Sequence, residues 1–237
     1  MNSSWQIDLF DGLNHATNMQ DVLDSTLKVV KKFGFDYVAW RTELPLPITR
    51  KKTLALGTIE KDGVIEKASE GYYDNMPVPQ HCSKTMDPIS WLGTTDDYVF
   101  SKSPDLMEEY YSTGRYGGWA QSLIESSNIF SLFWVDTSCP ITQKDIDHVS
   151  LEMEWISTAV LSKMNQVRVK SNIILSEREK EVLRWTGDGK TASEISQILY
   201  LSQSTVNFHI RNAMIKLDAP NKTNAIVKAI YLGLLHH

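Results

Sequence analysis

Residues 175–235 carry helix-start signals so closely spaced that they leave room for little except a bundle of four short helices. Ser176 stands three residues before Glu179, and Thr191 three before Glu194, the spacing of a reciprocal capping box. Ser202 and Asn221 are two further N-cap residues. The breaks are equally short: Gly187-Asp188-Gly189, Leu199-Tyr200-Leu201 and Asp218-Ala219-Pro220. Val182, Leu183 and Trp185 supply apolar surface to the first helix, and Ile195, Ile198 and Leu199 to the second. In the third, Val206, Ile210, Met214 and Leu217 recur at three- to four-residue steps; Ile226, Ala229, Ile230 and Leu232 close the bundle from the fourth.

Two short helices joined by a tight turn, the second with a polar outer face, follow the helix-turn-helix plan. The inward stripe of the third helix leaves Gln203, Ser204, Asn207, Arg211 and Asn212 to project outward. Amides read adenine and guanidinium groups read guanine, so this is the chemistry of base recognition in a major groove. Lys190 and the backbone at Thr191 are placed to meet phosphates at the start of the second helix. Thr205, His209 and Lys216 are further candidates for backbone contact. A protein-binding four-helix module is the plainer alternative, and His209, beside Val206 and Ile210, reads equally as a packing residue.

Charge fits double-stranded DNA as partner only locally. The chain has a net charge of −5, whereas residues 171–237 alone carry +2. That is a small cationic footprint for one copy, so a homodimer on a two-fold symmetric site is expected. No apolar run approaches the roughly 20 residues of a membrane span. The N-terminus lacks the basic and apolar regions of a signal peptide. The two cysteines, Cys82 and Cys139, have no metal or redox spacing. A reduced, cytoplasmic chain without membrane association is the expectation, with both thiols buried or half-buried.

The N-terminal part mixes helices and strands. Met19, Val22, Leu23, Leu27, Val30 and Phe33 mark an amphipathic helix stopped at Gly34. Strands are expected at 35–44 and 53–59, separated by a proline-rich break, and helices at 63–70 and 104–113. Residues 119–125 and 129–136 read as a hairpin, followed by a long helix over 142–167. The whole is an α+β chain: an N-terminal α/β/α sandwich with an antiparallel sheet (1–164), a polar linker (165–174) and the all-α C-terminal domain (175–237).

The C-terminal segment closely resembles the DNA-binding domain of the LuxR-type quorum-sensing regulators. The likeness is carried by Glu179, Leu183, Gly189, the run LRWTxxGKTxxEI at 183–195 and STVNFHIRNAMIKLDAPNKTxA at 204–225. It implies that the third helix enters the major groove, with Asn207 and Arg211 at the base-reading positions. RNA polymerase is then a candidate further partner. The N-terminal domain of that family is an α/β/α sandwich binding an N-acyl homoserine lactone between sheet and helices. Its markers recur here as GFDYVAW at 34–40, LPITRKKT at 46–53, Tyr72, Pro77, Trp91 after Pro88, and Gly118.

The polar anchors implied by the resemblance do not recur. The lactone-binding Trp falls on Gly63, the pocket Tyr on Lys67, and the Asp that accepts the acyl amide N–H on Met76; a Ser or Thr of the fifth strand falls on Trp134. Lys67 must either point outward or meet an anion, and Asp74 replaces the acceptor only if the local backbone slips. Three readings stay open. The pocket is filled by its own aromatics (Trp40, Tyr72, Tyr73, Trp91, Trp119, Phe133 and Trp134 are the candidate lining) and needs no ligand. Or it takes a different signal, anionic or more apolar. Or it is an ordinary acyl-homoserine-lactone receptor. No fixed cofactor is called for beyond such a small-molecule signal.

An enzyme is not expected. The histidines lack metal spacing, and there is no phosphate-binding or nucleophile-elbow motif. Asp96-Asp97 reads as a solvated loop or helix cap. A phosphate-accepting receiver domain would need alternating parallel strands and helices, which are missing here.

Overall fold

The computed structural model of the chain describes residues 4–44, 52–58, 63–124, 130–169 and 173–235. The chain divides into two compact units, Met1–Arg168 and Val169–His237. The first contains α1 (Ser4–His15), α2 (Met19–Val30), β1 (Tyr37–Leu44), β2 (Lys52–Gly57), α3 (Val64–Ser69), α4 (Pro77–Cys82), β3 (Ile89–Trp91), α5 (Tyr98–Lys102), α6 (Pro104–Ser112), β4 (Gly118–Ile124) and β5 (Phe130–Asp136). The long helix α7 (Gln143–Val169) follows. It continues into the stretch expected as linker, while 170–172 lie outside the described residues. So do most of the LPITRKKT loop, the turn between the paired strands, and the terminal histidines.

The sheet is antiparallel throughout, in the order β2-β1-β5-β4-β3. Side chains of a strand alternate between faces, and both faces here are covered. Val38, Trp40, Trp119, Phe133 and Val135 pack with α1, α2 and α7. Ala39, Ala55, Trp91, Ala120, Leu132 and Trp134 face the short elements α3–α6. The layers are those of the predicted sandwich. Four elements escaped the sequence reading, α1, α4, β3 and α5; three of these are only three to six residues long.

Local chemistry fixes the boundaries. Asn18 and Asp21 form a capping box that starts α2, and Gly34 ends the helical turn after it with φ of 90°. Gly118 faces Trp91 across the β3–β4 pair. A Cβ on Gly118 would sit 2.2 Å from the Trp91 ring and 2.5 Å from the Val135 carbonyl, so only glycine lets this indole lie flat on the sheet. Asp97 is a cap, accepting from the Val99 amide at 2.6 Å and the Leu92 amide at 2.8 Å. Cys82 is buried, its thiol pushed up to about 12 by desolvation, whereas Cys139 lies exposed, contrary to expectation.

The second unit is the expected bundle: α8 (Glu177–Gly187), α9 (Ala192–Leu199), α10 (Gln203–Lys216) and α11 (Lys222–Tyr231). Ser176, Thr191, Ser202 and Asn221 are its four N-caps. Leu175, Leu183, Ala213, Leu217, Ala225 and Ala229 form one core, and Val182, Ile195 and Val206 another. Ile198 and Ile230 were expected inside but are exposed. The buried stripes of α9 and α11 are narrow, running through Ile195 and through Ala225 and Ala229, small residues that let helices approach closely.

Candidate nucleic-acid interface and ligand cavity

The outer face of α10 gathers most of the predicted DNA-reading residues. Gln203, Ser204, Asn207 and Arg211 are exposed, and Thr205 is half-buried. They project because Val206, Ala213 and Leu217 take the inner face. The Ser202 hydroxyl accepts from the Thr205 amide at 3.0 Å and lies 2.7 Å from both the Ser204 and Thr205 hydroxyls. This cluster fixes the start of the helix and presents short polar groups there. Between Asn207 and Arg211 lies Phe208, 58% exposed, which the sequence reading missed. An exposed ring on this face suits contact with a thymine methyl group. Tyr200, 95% exposed, holds the turn before α10 with a left-handed φ of 54°.

Three expected DNA contacts look different in the structure. The Thr191 amide and hydroxyl both donate to Glu194, each at 2.8 Å, so this backbone group is spent within the capping box. The next two amides, of Ala192 and Ser193, have no partner inside the helix by helix geometry. Lys216 is ion-paired within the unit, its Nζ 2.8 Å from Glu179 Oε2, although its side chain stays 42% exposed. Glu179 is only 4% exposed and also accepts from the Ser176 amide at 2.7 Å, so one carboxylate ties the start of α8 to the end of α10. His209 is half-buried, with its ring against Phe208, and Asn212 is half-buried as well. Lys190 stands exposed before α9.

In the first unit, a cavity of about 50 Å³ lies between the sheet and α3–α6. Of the aromatics expected to line it, Tyr73, Trp91 and Trp134 do, together with Met76. Trp40, Trp119 and Phe133 do not. Each is a strand neighbour of a lining-face residue (Arg41, Ala120, Leu132), so the two-residue period turns it to the opposite core. Tyr72 is also outside the cavity, half-exposed on its rim with its hydroxyl donating to Glu109 at 2.8 Å.

The departed anchors have ordinary places. Gly63 caps the start of α3 with a left-handed φ of 74°, and a Cβ there would meet nothing within 4 Å. Lys67 points to the rim, ion-paired with Glu109 and 5.3 Å above the Tyr72 ring. Its hydrogen bond to Glu109 raises its pKa and keeps it charged. Met76 lines the cavity itself.

Two polar features of the cavity wall were not read from the sequence. Trp134 donates its indole N–H to the Tyr110 hydroxyl at 3.2 Å, which donates to Asp136 at 2.9 Å. Arg115 Nε lies 3.6 Å from the same carboxylate. Burial, then the Asp136 charge, push the Tyr110 hydroxyl well above the tyrosine range, so it stays a neutral donor. This chain is satisfied internally. The other feature is not. Arg41, on β1 and 3% exposed, places Nη1 2.6 Å from Asp74 Oδ1, but its Nε finds no hydrogen-bond acceptor. The Trp91 indole N–H and the Tyr73 hydroxyl are also buried without a partner. All three residues line the cavity, while other buried polar atoms without a partner, Trp40 Nε1 and Trp119 Nε1 among them, lie away from it.

A sheet-and-helix sensor unit followed by a helix-turn-helix unit defines a signal-binding transcription regulator. Residues 18–164 match the family described as autoinducer binding domain, and 173–229 match "Bacterial regulatory proteins, luxR family". The chain belongs to the LuxR family of transcription regulators. It is 32% identical to the transcriptional activator protein AnoR of Acinetobacter nosocomialis, over 98% of this chain and 99% of that one. Among solved structures, Escherichia coli SdiA aligns with a TM-score of 0.75 at 25% identity, covering 99% of both chains. SdiA in complex with octanoyl-rac-glycerol aligns with the same score at 26% identity, over 99% of this chain and 96% of that one. These relatives are regulators rather than enzymes. Among the described residues, no helix is long and apolar enough to cross a membrane.

Proposed function

We propose that this protein is a cytoplasmic, homodimeric transcription regulator whose sensor responds to a small molecule other than a standard acyl homoserine lactone. Asn207 and Arg211 read base edges in a two-fold symmetric site, with Gln203, Ser204, Thr205 and Lys190 positioning the helix on the backbone. An exposed apolar patch on α1 and α7 supports the dimer: Ile7, Phe10, Leu151 and Trp155, with Phe10 and Trp155 in ring contact at 5.1 Å. Contiguous exposed apolar surface of this kind marks an interaction face.

The observation that carries the signal reading is the mismatch between wall and ligand. Met76 offers only a thioether where a buried acyl amide needs an acceptor, while Arg41, Trp91 and Tyr73 hold unpartnered polar atoms. The Tyr73 hydroxyl is the one group of the three able to accept, and an amide that does not reach it is left unpaired at a cost of about 1–3 kcal/mol. The complex of the SdiA relative with octanoyl-rac-glycerol supports the reading, because that ligand has no amide. One observation favours a second reading, in which no ligand is needed. The cavity is far below the roughly 300–1,000 Å³ of pockets that enclose drug-sized molecules, and a ligand would have to part α3–α6.

A thermal-shift series tests the proposal. The purified protein is expected to gain less than about 1 °C from saturating acyl homoserine lactones and several degrees from an organic extract of its own host, as ligand linkage requires. A large shift with the lactones would sink the proposal. No shift with anything, together with full operator binding, would establish the ligand-independent reading instead.

A further inference from the structure

We propose that Phe208 reads a thymine methyl group in each half-site, beside the bases met by Asn207 and Arg211. The proposal rests on the reading of α10 as the helix that enters the major groove.

The fold makes little use of this ring. It is 58% exposed and belongs to neither core of the C-terminal unit. Among the described residues its one ring contact is with His209, 5.7 Å between centroids and steeply inclined. A lone exposed phenylalanine needs no explanation by itself, but the position of this one does. Residues three and four apart are neighbours on a helix surface. Phe208 is therefore flanked by Ser204, one turn before it, and Arg211, one turn after it, and both are exposed. Asn207 lies about 100° round the helix from it. Val206, Ala213 and Leu217 occupy the opposite side, inside the cores. A groove that admits Asn207 and Arg211 admits this ring with them.

The partner follows from what the ring lacks. It has no donor and no acceptor. Set against a polar base edge, it would displace water and return no hydrogen bond. The base edges of the major groove carry one apolar group, the C5 methyl of thymine. Ring and methyl each lose apolar surface to the other, which is favourable. Deoxyuridine presents the same O4 acceptor without that methyl, so the pair of bases isolates the contact. Ile215, 71% exposed and two turns on, extends the same edge of α10. A protein partner covering Phe208 and Ile215 is the rival occupant, and it would be indifferent to the methyl.

The test uses the full-length protein and a two-fold symmetric duplex that it selects from a random pool. Gel shifts at fixed salt compare that duplex with copies in which each thymine in turn is replaced by deoxyuridine in both half-sites. One position should cost about 4-fold per half-site, or about 15-fold for the pair, the loss of one buried methyl in each. Phe208→Ala should bind the thymine duplex as weakly as the parent binds the deoxyuridine duplex, and should lose nothing further on the latter. Phe208→Leu, which keeps an apolar tip, should retain part of the discrimination. Equal binding of all the duplexes by the parent overturns the proposal. So does an alanine variant that still discriminates thymine from deoxyuridine to the parent's extent. If the Asn207→Ala, Arg211→Ala double variant loses specific binding in the same assay, the failure is confined to Phe208; if it does not, the reading of α10 itself has failed.

Discussion

Replacing Asn207 and Arg211 together by alanine is expected to remove specific operator binding while leaving the C-terminal unit folded. Each well-formed amide or guanidinium contact to a base edge contributes about 1–3 kcal/mol of discrimination. The pair together should cost roughly 30-fold or more in specific affinity. Both side chains are exposed on α10, outside either core of the unit. Their loss should therefore change folding stability by no more than about 0.5 kcal/mol. Arg211→Lys keeps the charge but not the planar fork, so it should retain non-specific binding and lose the preference for the operator. A gel shift with operator and scrambled duplexes, at fixed salt, reads both variants. Unchanged specific binding by the double variant would mean that α10 is not the reading helix.

Removing Lys216 should act on the stability of the domain rather than on base reading. Its partner Glu179 is buried but keeps the Ser176 amide, and Lys216 is itself 42% exposed, so losing the cation costs about 1–3 kcal/mol. In a unit of this size that corresponds to a fall of about 4 °C or more in Tm. Lys216→Ala should thus lower Tm where the Asn207/Arg211 double variant does not, and should keep the preference for the operator that the double variant loses.

The same pair sets an acid limit. Burial pushes the Glu179 carboxyl up, but the Lys216 ammonium and the Ser176 amide outweigh it and hold the net value low. A carboxyl with a lowered pKa in the folded state stabilises fully above the pKa it has when unfolded. That contribution is lost as the pH falls through the folded value. Glu179→Gln should therefore flatten the acid limb of the stability curve. A Tm for Lys216→Ala equal to that of the parent would show that the ion pair contributes nothing.

The C-terminal unit was legible because its signals are local. A capping box is three residues long, and Ser176–Glu179 and Thr191–Glu194 announce their helices without reference to the rest of the chain. What sequence could not show there was reach. Lys216 sits one turn beyond Arg211 and reads as another exposed cation until the fold brings Glu179, thirty-seven positions away, against it. The sensor unit was legible in its layers and less so in its cavity. Alternation along a strand reveals that Trp40 and Arg41 face opposite sides, but not which side holds the cavity. The aromatic members of β1, β4 and β5 therefore look alike in the sequence, although Trp40, Trp119 and Phe133 lie on the face away from the cavity. Arg41 gives no such signal, because an arginine in a strand ordinarily points to water; its burial is accompanied by the ion pair with Asp74, in a turn far along the chain. The short elements α4, β3 and α5 complete no repeat of any hydrophobic period.

One measurement bears most directly on the claim that this regulator serves a signal other than an acyl homoserine lactone. The protein is purified from its own host without added ligand and its bound small molecules are identified by native mass spectrometry followed by fragmentation. The account predicts a bound species that yields no homoserine lactone fragment. Stoichiometric recovery of an N-acyl homoserine lactone would contradict it, and would mean that Met76, Gly63 and Lys67 are compensated by contacts other than those described above.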